Sequence, residues 1–225
     1  MRAETKDWPE PVWTCWNYWI AVPTGDQAGV MEILGLSASR PMTFAQAREM
    51  IDTDAHGDPD HRHQLSHVYV SPEVDGHTLV IGPWCDPCDY ERHEDVLRLC
   101  RTLSARYGQA QAYYFGEQGD GSAWLVAEHG NVVRRYATTG EPGDELLVLG
   151  NPLPQEQALV LQLGLPANLA TANDEEIDEW AVEALYLAPE IAASYGVSPL
   201  ALTQDTVVRG TGVLALTPYP TDRQS

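Results

Sequence analysis

The residue types able to do chemistry in this chain concentrate in two stretches. In the first, Trp84-Cys85-Asp86-Pro87-Cys88 sets two thiols two residues apart, with His93 and Cys100 following. Thiols at that spacing suit either disulfide exchange or, as thiolates, metal ligation. In the second, Asp52 to His67 carries Asp58, Asp60, His61, His63 and His67. Imidazoles and carboxylates are the ligands that zinc, nickel or iron would use, so His61, His63 and His67 form a candidate metal set. The Gly57-Asp58-Pro59 content reads as a solvated loop; were the segment helical, only His63 and His67 would share a face.

The segment Trp84 to Cys88 resembles the Trp-Cys-Gly-Pro-Cys active site of thioredoxins. That resemblance implies a thiol–disulfide oxidoreductase in which a helix N-terminus stabilises the thiolate, with Cys85 as nucleophile and Cys88 as resolving thiol. Asp86 stands where that family has glycine, and no Ile-Pro or Thr-Pro precedes Trp124 to supply its cis-proline. Asp86, Asp89, Glu91, Glu94 and Asp95 crowd the motif, and carboxylates there raise a thiol pKa. On that reading the thiols stay protonated, while Pro87 and Asp86 serve to start a helix. The spacing Cys85-x2-Cys88-x4-His93-x6-Cys100 is also similar to a zinc knuckle. His93 and Cys100, however, fall ~10 Å apart along a predicted helix, too far for one tetrahedral ion. A partial site of Cys85 and Cys88 with a histidine of the Asp/His loop stays open.

The elements that must position these residues follow from periodicity. His67-Val-Tyr-Val and His77-Thr-Leu-Val-Ile are β-branched runs on either side of Asp75-Gly76, a hairpin turn. Glu91 to Tyr107 repeats Val96, Leu97, Leu99, Cys100, Leu103 and Tyr107 at helical spacing and stops at Gly108. Ala110 to Gly116 reads as a strand, and a hairpin follows, turned at His129-Gly130-Asn131. Upstream, Cys15 to Val22 is an aromatic-rich strand, with Trp13, Trp16, Tyr18 and Trp19 as either core or an exposed binding face. Helices are expected over 26–35 and over 44–51, the latter capped by Thr43. Downstream, residues 154–205 are helical, and the tail with Gly210, Gly212, Pro218 and Pro220 is irregular at its end. Over residues 66 to 140, the string from Val-Ser-Pro-Glu-Val-Asp-Gly through Leu-Ser-Ala-Arg-Tyr-Gly to Ala-Trp-Leu-Val-Ala-Glu-His-Gly-Asn resembles a group of uncharacterised actinobacterial proteins. That likeness implies a shared fold and supplies no activity.

Charge is the strongest global property: 33 Asp and Glu against 13 Lys and Arg give a formal net charge of −20 over 225 residues. A field of that sign repels nucleic acid and anionic membrane and attracts a basic protein or peptide. A hydrophobic fraction of 44% is enough for a sizeable core. The N-terminal residues lack an apolar signal segment, and no apolar run reaches membrane-spanning length, so a soluble cytoplasmic protein is expected. Its four cysteines would then be thiols, with Cys15 and Cys100 in the core. Dinucleotide, P-loop, nucleophile-elbow and zinc-protease motifs are absent.

These observations predict a single α+β domain over residues 1–225 with a mostly antiparallel sheet, in the order β-αα-ββ-α-βββ. Its central sheet unit spans 66–137 and its helical C-terminal part 154–205. The expected role is non-enzymatic and needs no cofactor: an acidic binding protein for a protein or peptide, as an immunity-type inhibitor or biosynthetic accessory would be. The alternatives are an oxidoreductase at Cys85 and Cys88 and a metal protein at the Asp/His loop.

Overall fold

Neighbouring side chains on a strand point to opposite faces, and here both faces are apolar. In Trp19-Ile20-Ala21-Val22 and in Trp124-Leu125-Val126-Ala127 every residue is buried, but alternate residues belong to two separate cores. Such strands require helices on both sides of the sheet.

The computed structural model describes residues 9–56, 61–141 and 143–219. In chain order the elements are β1 (Trp16–Val22), α1 (Gln27–Leu34), β2 (Ser37–Pro41), α2 (Phe44–His56), α3 (His61–Leu65), β3 (His67–Val70), β4 (Glu73–Val74), β5 (Thr78–Ile81), α4 (His93–Tyr107), β6 (Gln109–Gly116), β7 (Gly121–Glu128), β8 (Asn131–Thr138), β9 (Leu149–Gly150), α5 (Pro154–Leu163), α6 (Asp174–Ala184), α7 (Leu187–Tyr195), β10 (Val208–Arg209) and β11 (Val213–Leu216). Nine of the strands form one antiparallel sheet in the order β2-β11-β3-β5-β1-β6-β7-β8-β9. The chain is therefore α+β with a large antiparallel sheet.

One core holds Trp19, Tyr69, Tyr113 and Trp124 of the sheet beneath Phe44 of α2, Val160 of α5, Trp180 of α6 and Ile191 of α7. The other holds Ile20, Val68, Val80 and Leu125 beneath Val30 and Leu34 of α1 and Val96, Cys100 and Leu103 of α4. Burying each large apolar side chain contributes about 1.5–3 kcal/mol. Trp19, fully buried, is core, whereas Trp16 and Tyr18 are half-buried and Trp13 is exposed beneath the Arg48 guanidinium. The aromatic segment thus divides between core and surface.

Local signals explain most element ends. Asp75 and Gly76 both take positive φ, 45° and 80°, which closes a two-residue turn of the kind that matches strand twist. His129 and Gly130 do the same between β7 and β8. Thr43 and Gln46 exchange side-chain and backbone hydrogen bonds, a reciprocal cap for α2. Pro189 sits in the first turn of α7, where a missing N–H leaves no helical bond unmade.

Four features depart from expectation. Helix α2 continues to His56 and α3 begins at His61, so the Asp/His stretch is helical on both sides of residues 57–60. Helix α4 begins at His93, not at Pro87. A strand, β2, forms after α1 from residues whose side chains are all exposed. The tail is not merely irregular: β11 inserts between β2 and β3, and Thr217 adds a hydrogen bond from its backbone N–H to the Ser66 carbonyl.

Candidate functional site: an acidic cleft at the Cys85–Cys88 segment

After β5, Gly82 takes φ 145°, a region open to glycine, and Pro83, Trp84 and Cys85 make a single tight helical turn. That turn drives Trp84 and Cys85 into the core under α4, where they are 1% and 0% exposed. Two arginines then clamp the segment. The guanidinium of Arg92, itself buried, lies 4.5 Å from the Trp84 ring centroid and donates from Nε to the Trp84 carbonyl at 3.2 Å. Arg135 of β8 donates from Nη2 to the Pro87 carbonyl and from Nη1 to Glu94 Oε1, both at 3.3 Å.

Between the clamps, Asp86 and Asp89 act as turn residues: Asp86 Oδ1 accepts the Cys88 N–H at 2.7 Å and Asp89 Oδ1 accepts the Glu91 N–H at 2.8 Å. These bonds hold the backbone in turns and delay the helix to His93, which is why Pro87 does not start it. Cys88 consequently lies five residues ahead of α4 rather than in its first turn. Cys85 Sγ contacts the Val80 carbonyl at 3.4 Å inside one core, while Cys88 packs beside Tyr114, Ala123, Ala137 and Leu147 in another cluster. Burial pushes the Cys85 thiol up to about 12, although Arg92 pulls the other way. Burial, and then the charges of Asp86 and Asp144, push Cys88 well above its ordinary value. The surroundings hold both thiols protonated, and desolvation is the main cause where the sequence pointed to acidity. Cys100 is buried and likewise raised, and Cys15 is half-buried.

The outer side of this segment forms the wall of a cleft of about 680 Å³. Asp86 and Asp89 come from the segment, Glu94 from α4, Asp120 from the β6–β7 connection, and Glu141 and Asp144 from the β8–β9 connection. Its floor includes Tyr18 and Tyr114, directly paired across β1 and β6 and stacked with ring centroids 5.0 Å apart. At the rim, Tyr90 and Leu146 are 92% and 81% exposed. Asp144 is committed to closing its own loop, accepting from Thr139 N, Thr139 Oγ1 and Gly140 N. Among the lining side chains His93 is the sole basic one. Burial, with Asp89 adding to it, lifts the half-buried Asp86 carboxyl to about 7 against the opposing hydrogen bonds from Cys88 and Asp89. Its charge therefore changes near neutral pH. Tyr18 and Tyr114 are also held protonated, first by burial and then by the charge of Asp86.

The Asp/His stretch is arranged differently. His67, nearly buried at the start of β3, places Nε2 2.8 Å from Asp54 Oδ2 of α2 and Nδ1 3.0 Å from Ser66 Oγ. A row of serine, histidine and aspartate suggests a nucleophile, but Ser66 Oγ donates to the His63 carbonyl at 2.6 Å, so its proton is not aimed at the imidazole. The row instead braces α2 against the sheet. His63 is exposed and its ring lies 5.4 Å from that of His67, but α3 ends at Leu65 and His67 belongs to β3, so the two meet across a helix–strand junction and not on one helix face. Asp58 and Asp60, and the side chain of His61, lie outside the described residues. Among the described residues, no three His, Cys, Asp or Glu side chains gather as a metal-binding group.

Sequence reasoning found the acidic character of the Cys85–Cys88 segment and missed the far walls, Asp120, Glu141 and Asp144, and the clamps, Arg92 and Arg135. No local pattern marks them: Asp120, Glu141, Asp144 and Arg135 arrive through the pairings of β6, β7 and β8, and Arg92 reaches back eight residues to Trp84 only because the turns between them fold the chain on itself. In comparisons with known proteins, no family model, curated protein or solved structure matches the chain.

Proposed function

We propose that the chain is a binding protein whose acidic cleft receives a basic segment of a protein or peptide partner, as an immunity-type inhibitor or biosynthetic accessory protein would. The observation that carries this reading is the convergence of carboxylates from four separate segments on one cleft whose floor is a stacked tyrosine pair. Aromatic faces and carboxylates together suit lysine and arginine side chains, the first through the ring quadrupole and the second through charge. Tyr90 and Leu146 at the rim offer the exposed apolar anchors on which protein interfaces concentrate their energy. The net charge of −20 would steer such a partner toward the surface from a distance.

A cytoplasmic setting belongs to the same proposal, supported by four cysteines that are all thiols. Among the described residues, no helix is long and apolar enough to cross a membrane.

The test is calorimetric titration with two peptides, one of repeating Lys-Gly and one of repeating Glu-Gly. The lysine peptide is expected to bind, and its affinity to fall about tenfold between low and high salt as screening shortens the reach of the cleft's field. The triple substitution Asp86→Asn, Asp120→Asn and Glu141→Gln should abolish that binding without lowering the thermal unfolding transition. Equal binding of both peptides, or affinity indifferent to salt, would refute the proposal.

A further inference from the structure

The opposite face of the sheet contains a second concavity, of about 580 Å³, under α5 and α6. This is within the size of small-molecule sites, about 300–1,000 Å³. Its walls include Val160, Leu165, Leu169 and Trp180, and its floor is Tyr136 of β8. Tyr136 is stacked on Trp124 at 4.8 Å and meets Trp180 edge-on at 6.0 Å, so the floor is a rigid aromatic platform.

The charges at the base decide the class of ligand. Arg134 and Glu156 line the cavity and are 4% and 1% exposed. They bind each other through Nη2 at 2.6 Å and Nε at 3.0 Å, and Arg134 Nη1 donates to the Gly150 carbonyl at 2.9 Å. Glu156 also accepts from Trp124 Nε1 at 3.2 Å and from the Leu153 N–H at 2.8 Å. Each charge is neutralised inside the wall, leaving neither a cation for a carboxylate ligand nor an anion for an amine. A net charge of −20 further disfavours an anionic ligand. On the aromatic floor one hydroxyl proton remains, while Gln157 on the wall spends its amide on the Pro152 carbonyl. The Tyr136 hydroxyl accepts from Trp180 Nε1 at 2.7 Å, and its own proton has no acceptor among the described residues.

We infer that this cavity binds a neutral, largely aromatic small molecule carrying one hydrogen-bond acceptor, held by the Trp124–Tyr136–Trp180 platform with the acceptor on the Tyr136 hydroxyl. It is independent of the acidic cleft, which lies across the sheet.

The experiment uses the full chain and the neutral fluorophore N-phenyl-1-naphthylamine, displaced by benzophenone, diphenylmethane or dodecanoate. Benzophenone is expected to compete best, because diphenylmethane has the same rings without the carbonyl and dodecanoate carries a charge. Tyr136→Phe should weaken benzophenone about three- to tenfold, the worth of one hydrogen bond, and leave diphenylmethane unchanged. Val160→Trp should fill the cavity and abolish both; Leu161→Trp, at an exposed position on the mouth, does the same with less risk to folding. The inference fails if neither aromatic competes, if dodecanoate outcompetes benzophenone, or if both Trp variants bind as the wild type does. It also fails if sedimentation shows a dimer that Leu161→Trp dissociates, since a second copy would then be the occupant.

Discussion

Replacing Asp86 by asparagine should make the protein more stable, but only as the pH rises. The carboxyl is held at about 7 by burial, against an ordinary 3.8. A group whose native pKa lies above its unfolded value binds its proton more tightly when folded. Its contribution is fully present below the unfolded pKa and is lost as pH rises through about 7. Within that window each pH step of one removes up to ~1.4 kcal/mol, so the interval from pH 5 to 7 is worth at most ~3 kcal/mol. Asp86 is only half-buried, and solvent screening reduces this to about 1.5 kcal/mol. Asparagine retains an Oδ1 that can accept the Cys88 N–H, so the turn survives and the titration alone is removed. Urea unfolding followed by tryptophan fluorescence at pH 5, 6, 7 and 8 measures the difference between variant and wild type. That difference should grow by about 1.5 kcal/mol in favour of the variant and level off above pH 7. A difference constant across the series, or one favouring the wild type at pH 8, would refute the assignment of the cleft's titration to Asp86.

Four other outcomes follow from the same geometry. Lysine-peptide affinity should rise more between pH 6 and 8 in the wild type than in Asp86→Asn, read by titration at each pH, because the charge of Asp86 appears in that interval. Glu156→Ala should destabilise by about 3–5 kcal/mol in urea unfolding, since it strands the Arg134 guanidinium in a buried site. Gly150→Ala should destabilise by about 1–3 kcal/mol in the same assay, because Gly150 sits at φ 79° and an added Cβ would collide with the Val133 carbonyl oxygen. Alkylation of native Cys85 by iodoacetamide at pH 8 should be far slower than that of half-buried Cys15, as mass mapping would show. With a pKa of about 12 only ~1 in 10⁴ of the Cys85 thiols is ionised at that pH.

The parts of this fold that the sequence displays are those whose signals are local. Asp75-Gly76 and His129-Gly130 announce their hairpins because positive φ is a property of one or two residues. Helix α4 shows in Val96, Cys100 and Leu103, whose spacing is set by the helix itself. The hidden parts depend on distant partners. Ser37–Pro41 is polar, exposed and ends in proline, so nothing in it indicates a strand until β11 arrives beside it. Val213–Leu216 is four residues between glycines and prolines, too short to show a period, and becomes an interior strand through pairing with both β2 and β3. The late start of α4, at His93, has a different cause. Asp86 has the chemistry of a helix cap, but here it spends its oxygen on a turn two residues long. For the cleft, the segment at Cys85 and Cys88 was legible and its opposing walls were not, because Asp120 and Asp144 enter only through the pairings of β6, β7 and β8.

Arg134 and Arg135 are neighbours in one strand, and the pleat sends them to opposite faces. One anchors α5 beneath the apolar cavity; the other clamps the loop that walls the acidic cleft. The arithmetic of a two-residue repeat thus makes β8 a partition wall with a bolt on each side. A one-residue slip in the register of this pair would exchange the bolts, presenting each guanidinium to the wrong room. The bulge where β7 and β8 shift register, between Val126 and Ala127, lies on the side of the pair nearer the turn. Length changes in the His129-Gly130 hairpin thus have a place to be absorbed before they reach the arginines. Between Arg134 and Thr138 there is none, so natural or engineered variation in chain length at this strand should be confined to its turn-proximal end.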